Sequence, residues 1–291
     1  MGIISSGVGM AIFACVPAVQ YLINRVGWRM TYRLMAFIIP LSIIAMAILF
    51  LKKRPRPIPF SETQEETPHT TMQDLPGTSE GWKVRSWTLR QAMHTRQFGV
   101  LSLCFFFTGF ITQSILTHHV AFFVDQGLQA LFASYIAGLV GMVSIVGKIC
   151  WGTLSDRIGR EVAYTLVVVC TICAVVLIII FTRVSFSKIP YFYALFFGLG
   201  YAGLAVLAPL ITADFFAGAT FGSIYGMLYL LNGLGGAFGA WFGGFLYDHV
   251  QSYVPFFVTV IASALLTCAT VWMAAPRKIR PGSCLGSGML S

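Results

Sequence analysis

Apolar positions along the chain gather into eight long runs separated by short polar segments, at about 2–24, 31–51, 98–124, 131–153, 162–182, 190–213, 223–246 and 253–275. As helices these runs can cross a hydrocarbon core of roughly 30 Å, which takes about 20 residues at 1.5 Å rise. A transmembrane barrel would instead show segments of about ten residues with alternating polarity, and these runs are continuous. Helices remain as the way to satisfy every backbone amide and carbonyl in lipid. The pattern predicts an all-α integral membrane protein with eight transmembrane helices. Its first run is too long, and too uncharged at its start, for a cleaved leader, so it is expected to stay in the membrane.

Composition agrees. Of the 291 residues 57% are hydrophobic and 10% charged, against about 45–50% and about 25% in a soluble domain. The net charge of +9 would suit nucleic acid or an anionic surface if it were spread over a face. It sits instead in the segments between the apolar runs, as membrane topology requires, and so argues against a nucleic-acid partner. Across an eight-span alternation the 19 basic residues divide fourteen to five, with Arg25, Arg29, Arg33, Arg183 and Lys188 on the poorer side. The richer side, which holds both termini, is expected to be cytoplasmic.

One long polar stretch interrupts the runs. Positions 52–97 open with KKRPRP, continue through an acidic Ser/Thr-rich segment, and close with WTLRQAMHTRQ, whose Trp87, Leu89 and Met93 suit a short amphipathic helix on the inner membrane surface. The expected organisation is two helices over 1–51, a cytoplasmic linker over 52–97, six helices over 98–275 and a tail over 276–291. The seven cysteines suggest no disulfide framework. Cys170 and Cys173 form a C-x-x-C in a wholly apolar setting that reads as helix packing. No glycine loop for a nucleotide, no H-E-x-x-H and no close Cys/His set occurs, so neither a cofactor nor enzymatic chemistry is expected.

Within the fourth run, Ser134, Ala137, Gly141, Ser144, Lys148 and Gly152 recur at three- and four-residue steps and form one small, polar stripe. A cation inside a span costs roughly 2.5–3.5 kcal/mol at the helix centre. Lys148 therefore either snorkels to the nearby interface or faces other helices and a water-filled cavity, and the stripe favours the second. In the third run Thr108, Thr112, Gln113, Thr117 and His118 lie toward its outer half, where they can hydrogen-bond a ligand or a neighbouring helix. Tyr201 and Asn232 are further polar positions in apolar helices, open to the same two readings.

The segment Gly152-Thr-Leu-Ser-Asp156-Arg157-Ile-Gly159-Arg160-Glu161 joins the fourth and fifth runs. Gly152 and Gly159 would permit a tight reversal there, and the arginines can lock the Asp156 carboxylate. This segment resembles the cytoplasmic loop signature of the major facilitator superfamily, with Glu161 standing where the family usually has a basic residue. Gly27-Trp28-Arg29 is similar to a stretch that follows the fifth helix in many members of the same family, and Gly198-Leu-Gly200-Tyr201 and the segment from Gly243 to Asp248 are similar to its branch of monocarboxylate transporters and oxalate/formate antiporters.

The resemblance runs from the family's fifth helix through its twelfth and leaves the first four without a counterpart. It implies a secondary transporter of a small organic anion working by alternating access, with a coupled proton or a counter-anion as a further partner. Its alternative is a truncated, non-transporting membrane component that binds or regulates a full-length relative. The resemblance also implies that Lys148, four residues before Gly152, pairs the substrate carboxylate. Gly152, Asp156, Arg157, Gly159 and Arg160 would then govern inner closure, and His118, seven residues before Asp125, would be an outer gate. Ser144 stands where the branch often has an Asp implicated in proton coupling, and a single cation suits a monoanion.

Overall fold

The computed structural model describes residues 2–50, 87–184, 187–218 and 220–274. Among the described residues the chain is helical throughout, with α1 (Gly2–Val26), α2 (Trp28–Phe50), α3 (Leu89–Met93), α4 (Arg96–Asp125), α5 (Ala130–Ile158), α6 (Arg160–Phe181), α7 (Ile189–Phe216), α8 (Phe221–Val250) and α9 (Val254–Ala274). Each predicted run coincides with one long helix. Seven of the eight are long and apolar enough to cross a membrane. The exception is α8, 30 residues long, whose glycines and tyrosines dilute its hydropathy without adding charge within the predicted run. Most of the 52–97 linker and the whole 276–291 tail lie outside the described residues, as do many of the charges that underlie the expected orientation.

Two compact units are distinguished, Met1–Tyr21 with Arg85–Ser291, and Leu22–Val84. In the second, Gly27 takes a positive φ of 78°, a conformation that costs an L side chain strain. Its amide donates to Ile23 O at 3.0 Å, and Thr31 Oγ1 returns to Gly27 O at 2.9 Å. Gly27 is thus the one residue between α1 and α2, and the Arg29 guanidinium stands 5.0 Å from the Trp28 ring centroid.

In the first unit α4 packs on α8 and α9, while α7 packs on α5 and α6. Lipid is as apolar as leucine, so helices in a membrane gain by close backbone approach rather than by burying grease, and small residues mark the contacts. A Cβ on Gly109 would collide with the Asn232 carbonyl, and one on Gly235 with the Phe106 carbonyl. At Gly239 it would stand 2.7 Å from Phe110 O, and at Gly243 2.5 Å from His118 Nε2. The α8 glycines are thus what lets α4 lie against it. Gly233 differs, since nothing lies within 4 Å of its added Cβ. On α7, Gly198 and Gly203 meet Val143 and Val167 in the same way, and Trp151 Nε1 donates to Leu199 O at 2.9 Å. α1 crosses α5 where Gly9 faces Gly141.

The predicted amphipathic helix is short. α3 spans five residues and is closed by a capping box, in which Thr88 Oγ1 accepts from the Gln91 amide and Gln91 Oε1 from the Thr88 amide. The segment packs Trp87 and Leu89 on the bundle core, while Met93 is exposed. The Trp87 ring meets Phe216 edge to face at 5.5 Å, and the Thr220 hydroxyl donates to the Trp87 carbonyl.

Candidate functional site

A cavity of about 350 Å³ opens between α1, α4, α5, α7 and α8, within the range of roughly 300–1,000 Å³ typical of small-molecule sites. α4 contributes Phe105, Thr108, Thr112, Gln113 and Leu116, spaced so that they share one helical face. From α8 come Tyr225, Tyr229 and Asn232, at steps of four and three, and from α7 Tyr201, Leu204, Ala205 and Ala208. α5 supplies Lys148, and Val8 of α1 completes the wall. Lys148 is the charged residue in this lining; the other polar groups are hydroxyls and amides.

Lys148 is 1% exposed, and its Nζ stands 5.4 Å from the centroid of the Tyr201 ring. A cation over an aromatic face gains about 0.5–2 kcal/mol, more where water is excluded. The sequence reading ended this helix near Thr153, but α5 continues to Ile158. Lys148 thus lies ten residues, about 15 Å, from the helix end, more than a four-carbon stem can bridge. Its near-complete burial against the Tyr201 ring, not the length of α5, is what speaks against a lipid-facing, snorkelling side chain.

The remaining sequence candidates divide. Thr112, Gln113, Tyr201 and Asn232 line the cavity with Lys148. Within it Thr112 Oγ1 donates to Thr108 O at 2.9 Å, and Asn232 Nδ2 donates to Phe105 O at 3.1 Å, which cross-links α8 to α4. Ser144, Thr117 and His118 are not among the lining residues. Ser144 bonds back to Gly141 O at 2.7 Å and sits where α1 crosses at Gly9. Thr117 is exposed. His118 Nε2 donates to Ala240 O of α8 at 2.9 Å, and its ring packs on Phe256 at 5.2 Å, so it clamps helices together.

The signature segment is not a loop. Gly152, Asp156 and Arg157 belong to the last turns of α5, α6 begins at Arg160, and Gly159 is the single residue between them. Gly159 makes the reversal alone, at φ 92° and ψ 155°; Gly152 is helical, with Val206 3.9 Å from its added Cβ. Arg160, 5% exposed, draws the ends together. Its Nη2 lies 2.9 Å from Asp156 Oδ1, its Nη1 donates to the Ser155 hydroxyl, and its Nε lies 3.2 Å from Asp214 Oδ2 at the end of α7. Three helices thus meet on one guanidinium. Arg157 points outward and is exposed.

Sequence reasoning missed Asp214, Phe105, Tyr225 and Tyr229. The signal for Asp214 was an acid ending an apolar run. That for the tyrosines was their four-residue step, continued by Asn232 on the same face. At the other end of the bundle Asp125, Arg183, Tyr247 and Tyr253 line a second, more polar cleft. There burial, with the Asp125 carboxylate adding, pushes the Tyr253 phenol up to about 12.

Comparison with known proteins fits this architecture. The chain is 25% identical to monocarboxylate transporter 12 of Mus musculus over 275 residues, covering 88% of the chain and 55% of that protein. It is 26% identical to monocarboxylate transporter 13 of Bos taurus, over 95% of the chain and 59% of the relative. With the MFS transporter asaE of Aspergillus flavus identity is 27%, over 79% of the chain and 46% of that protein. The chain spans about half the length of the curated relatives it matches. Residues 1–193 match the family described as Major Facilitator Superfamily. With that match over more than half of its length, this integral membrane protein belongs to the Major Facilitator Superfamily.

Proposed function

We propose that the protein is a secondary transporter that carries a small organic monocarboxylate, with the Lys148 ammonium pairing the carboxylate. The observation that carries the reading is the position of Lys148, buried in a mid-bundle cavity whose other lining residues are neutral. A buried ammonium that borders a cavity is placed to pair with an anion entering it. The relatives named as monocarboxylate transporters support the same substrate class. One cation suits a monoanion, since a dianion would bring a second charge into low dielectric without a partner.

In this reading the site opens alternately to either side as helices rock around it. Arg160, with Ser155, Asp156 and Asp214, holds the ends of α5, α6 and α7 together on the cytoplasmic side of a plasma membrane. Gly152, Asp156, Arg157, Gly159 and Arg160 together govern that closure, and both termini face the same compartment. The coupled species is a proton or a counter-anion.

The test is uptake of labelled lactate, pyruvate and formate into vesicles carrying the protein. Saturable uptake is expected, competed by unlabelled monocarboxylate and left alone by the corresponding methyl esters and amides. Equal competition by the neutral analogues would contradict the reading. Absence of uptake of every carboxylate would favour the non-transporting component instead.

A further inference from the structure

We propose that the preferred substrate of the cavity is an aromatic monocarboxylate, held by its carboxylate at Lys148 and by its ring on a tyrosine wall. This rests on the reading of Lys148 as the anion site and specifies the other end of the ligand. Tyr225 and Tyr229, one turn apart on α8, are stacked with centroids 5.8 Å apart and planes 29° apart, and both line the cavity. Phe221 extends the same stack below Tyr225, at 5.7 Å and 14°. Phe105 of α4 meets Tyr225 edge to face at 6.0 Å and 79°, which fixes the ring from the side. The fourth aromatic side chain of the lining, Tyr201, already lies under the Lys148 ammonium at 5.4 Å.

The chemistry follows from these positions. An anion on Lys148 comes to rest beside the Tyr201 ring, so the body attached to it has aromatic surface next to it from the first atom onward. Arenes prefer stacked or edge-to-face contact with such surface, beyond the gain from area alone. A two- or three-carbon acid would leave the tyrosine faces of the roughly 350 Å³ cavity to water, whereas a ring carried on the carboxylate covers them. Gln113, on the adjoining α4 wall, offers an amide to a ring substituent.

The experiment measures binding to the protein in lipid nanodiscs by titration calorimetry, with acetate, cyclohexanecarboxylate, benzoate, phenylacetate and the neutral benzyl alcohol. Benzoate and phenylacetate are expected to bind at least about tenfold tighter than cyclohexanecarboxylate, a difference of about 1.4 kcal/mol, and tighter still than acetate. Tyr229→Leu, at an exposed position on α8, is expected to shrink the ratio of benzoate to cyclohexanecarboxylate affinity severalfold. Tyr229→Phe, which keeps the ring, is expected to retain it.

Equal affinity for the planar and saturated rings, or an unchanged ratio in Tyr229→Leu, would overturn the aromatic preference while leaving the anion site standing. Benzyl alcohol binding as tightly as benzoate, or no carboxylate binding at all, would overturn both readings.

Discussion

The Arg160 guanidinium at the start of α6 lies 3.2 Å from the Asp214 carboxylate at the end of α7, and both side chains of that pair are shielded from solvent. Asp156 also reaches Arg160, at 2.9 Å, but its side chain is 64% exposed against 14% for Asp214. Exposed pairs contribute about 0–1 kcal/mol, while removing one partner of a buried pair costs more because it strands the other charge. Asp214→Asn is therefore expected to lower stability by about 1–3 kcal/mol and Asp156→Asn by under about 0.5 kcal/mol, read as thermal unfolding in one detergent. The reverse order would show that the tie runs through α5 alone.

Helix approach in α4–α8 depends on particular glycines. Gly243→Ala puts a methyl group 2.5 Å from His118 Nε2, whereas Gly233→Ala meets nothing within 4 Å. Overpacking costs typically about 1–3 kcal/mol, so the first variant is expected to fall by that amount and the second to hold or gain slightly. Equal losses in the two would mean that the glycines act through backbone flexibility.

The two signature glycines are expected to separate in the same way. Gly159 holds φ at 92° with ψ at 155°, a region essentially reserved for glycine, so Gly159→Ala should cost about 1–3 kcal/mol in strain. Gly152 lies within α5 with an open contact at 3.9 Å, and alanine there is the better helix former by up to about 1 kcal/mol. Unfolding measurements on both variants, alongside uptake, decide whether the reversal resides in Gly159.

His118 donates across to Ala240 O and touches no lining residue's role in the cavity, so His118→Phe is expected to lower thermal stability by about 1 kcal/mol while the pH profile of uptake keeps its shape. A shifted profile would restore His118 as a proton-sensitive group.

How much was legible in the sequence depends on the range of the signal. All eight long helices were readable because apolar run length is a local property, set by the bilayer. The small stripe through Ser144 and Lys148 located a buried face correctly, but which neighbour covers each turn is a tertiary matter. Ser144 meets α1 at Gly9 while Lys148, one turn on, meets the cavity. The signature segment read as a loop but is helical on either side of Gly159, because a helix ending at Ile158 followed by one starting at Arg160 leaves no run of loop residues to read. Asp214 escaped because its partner lies 54 positions earlier, and no local pattern links the two. Tyr225 and Tyr229 read as ordinary aromatics until α4 and α7 closed a cavity in front of them.

Lys148 carries the central claim, and its charge is the most direct handle on it. Uptake of labelled monocarboxylate should be compared for the native protein, Lys148→Ala and Lys148→Arg at equal membrane abundance and equal thermal stability. The expected result is loss of uptake in Lys148→Ala by a factor of ten or more, equivalent to about 1.4 kcal/mol or more, with partial recovery in Lys148→Arg. Unchanged uptake in Lys148→Ala would contradict the account and leave the lysine a structural cation beneath Tyr201.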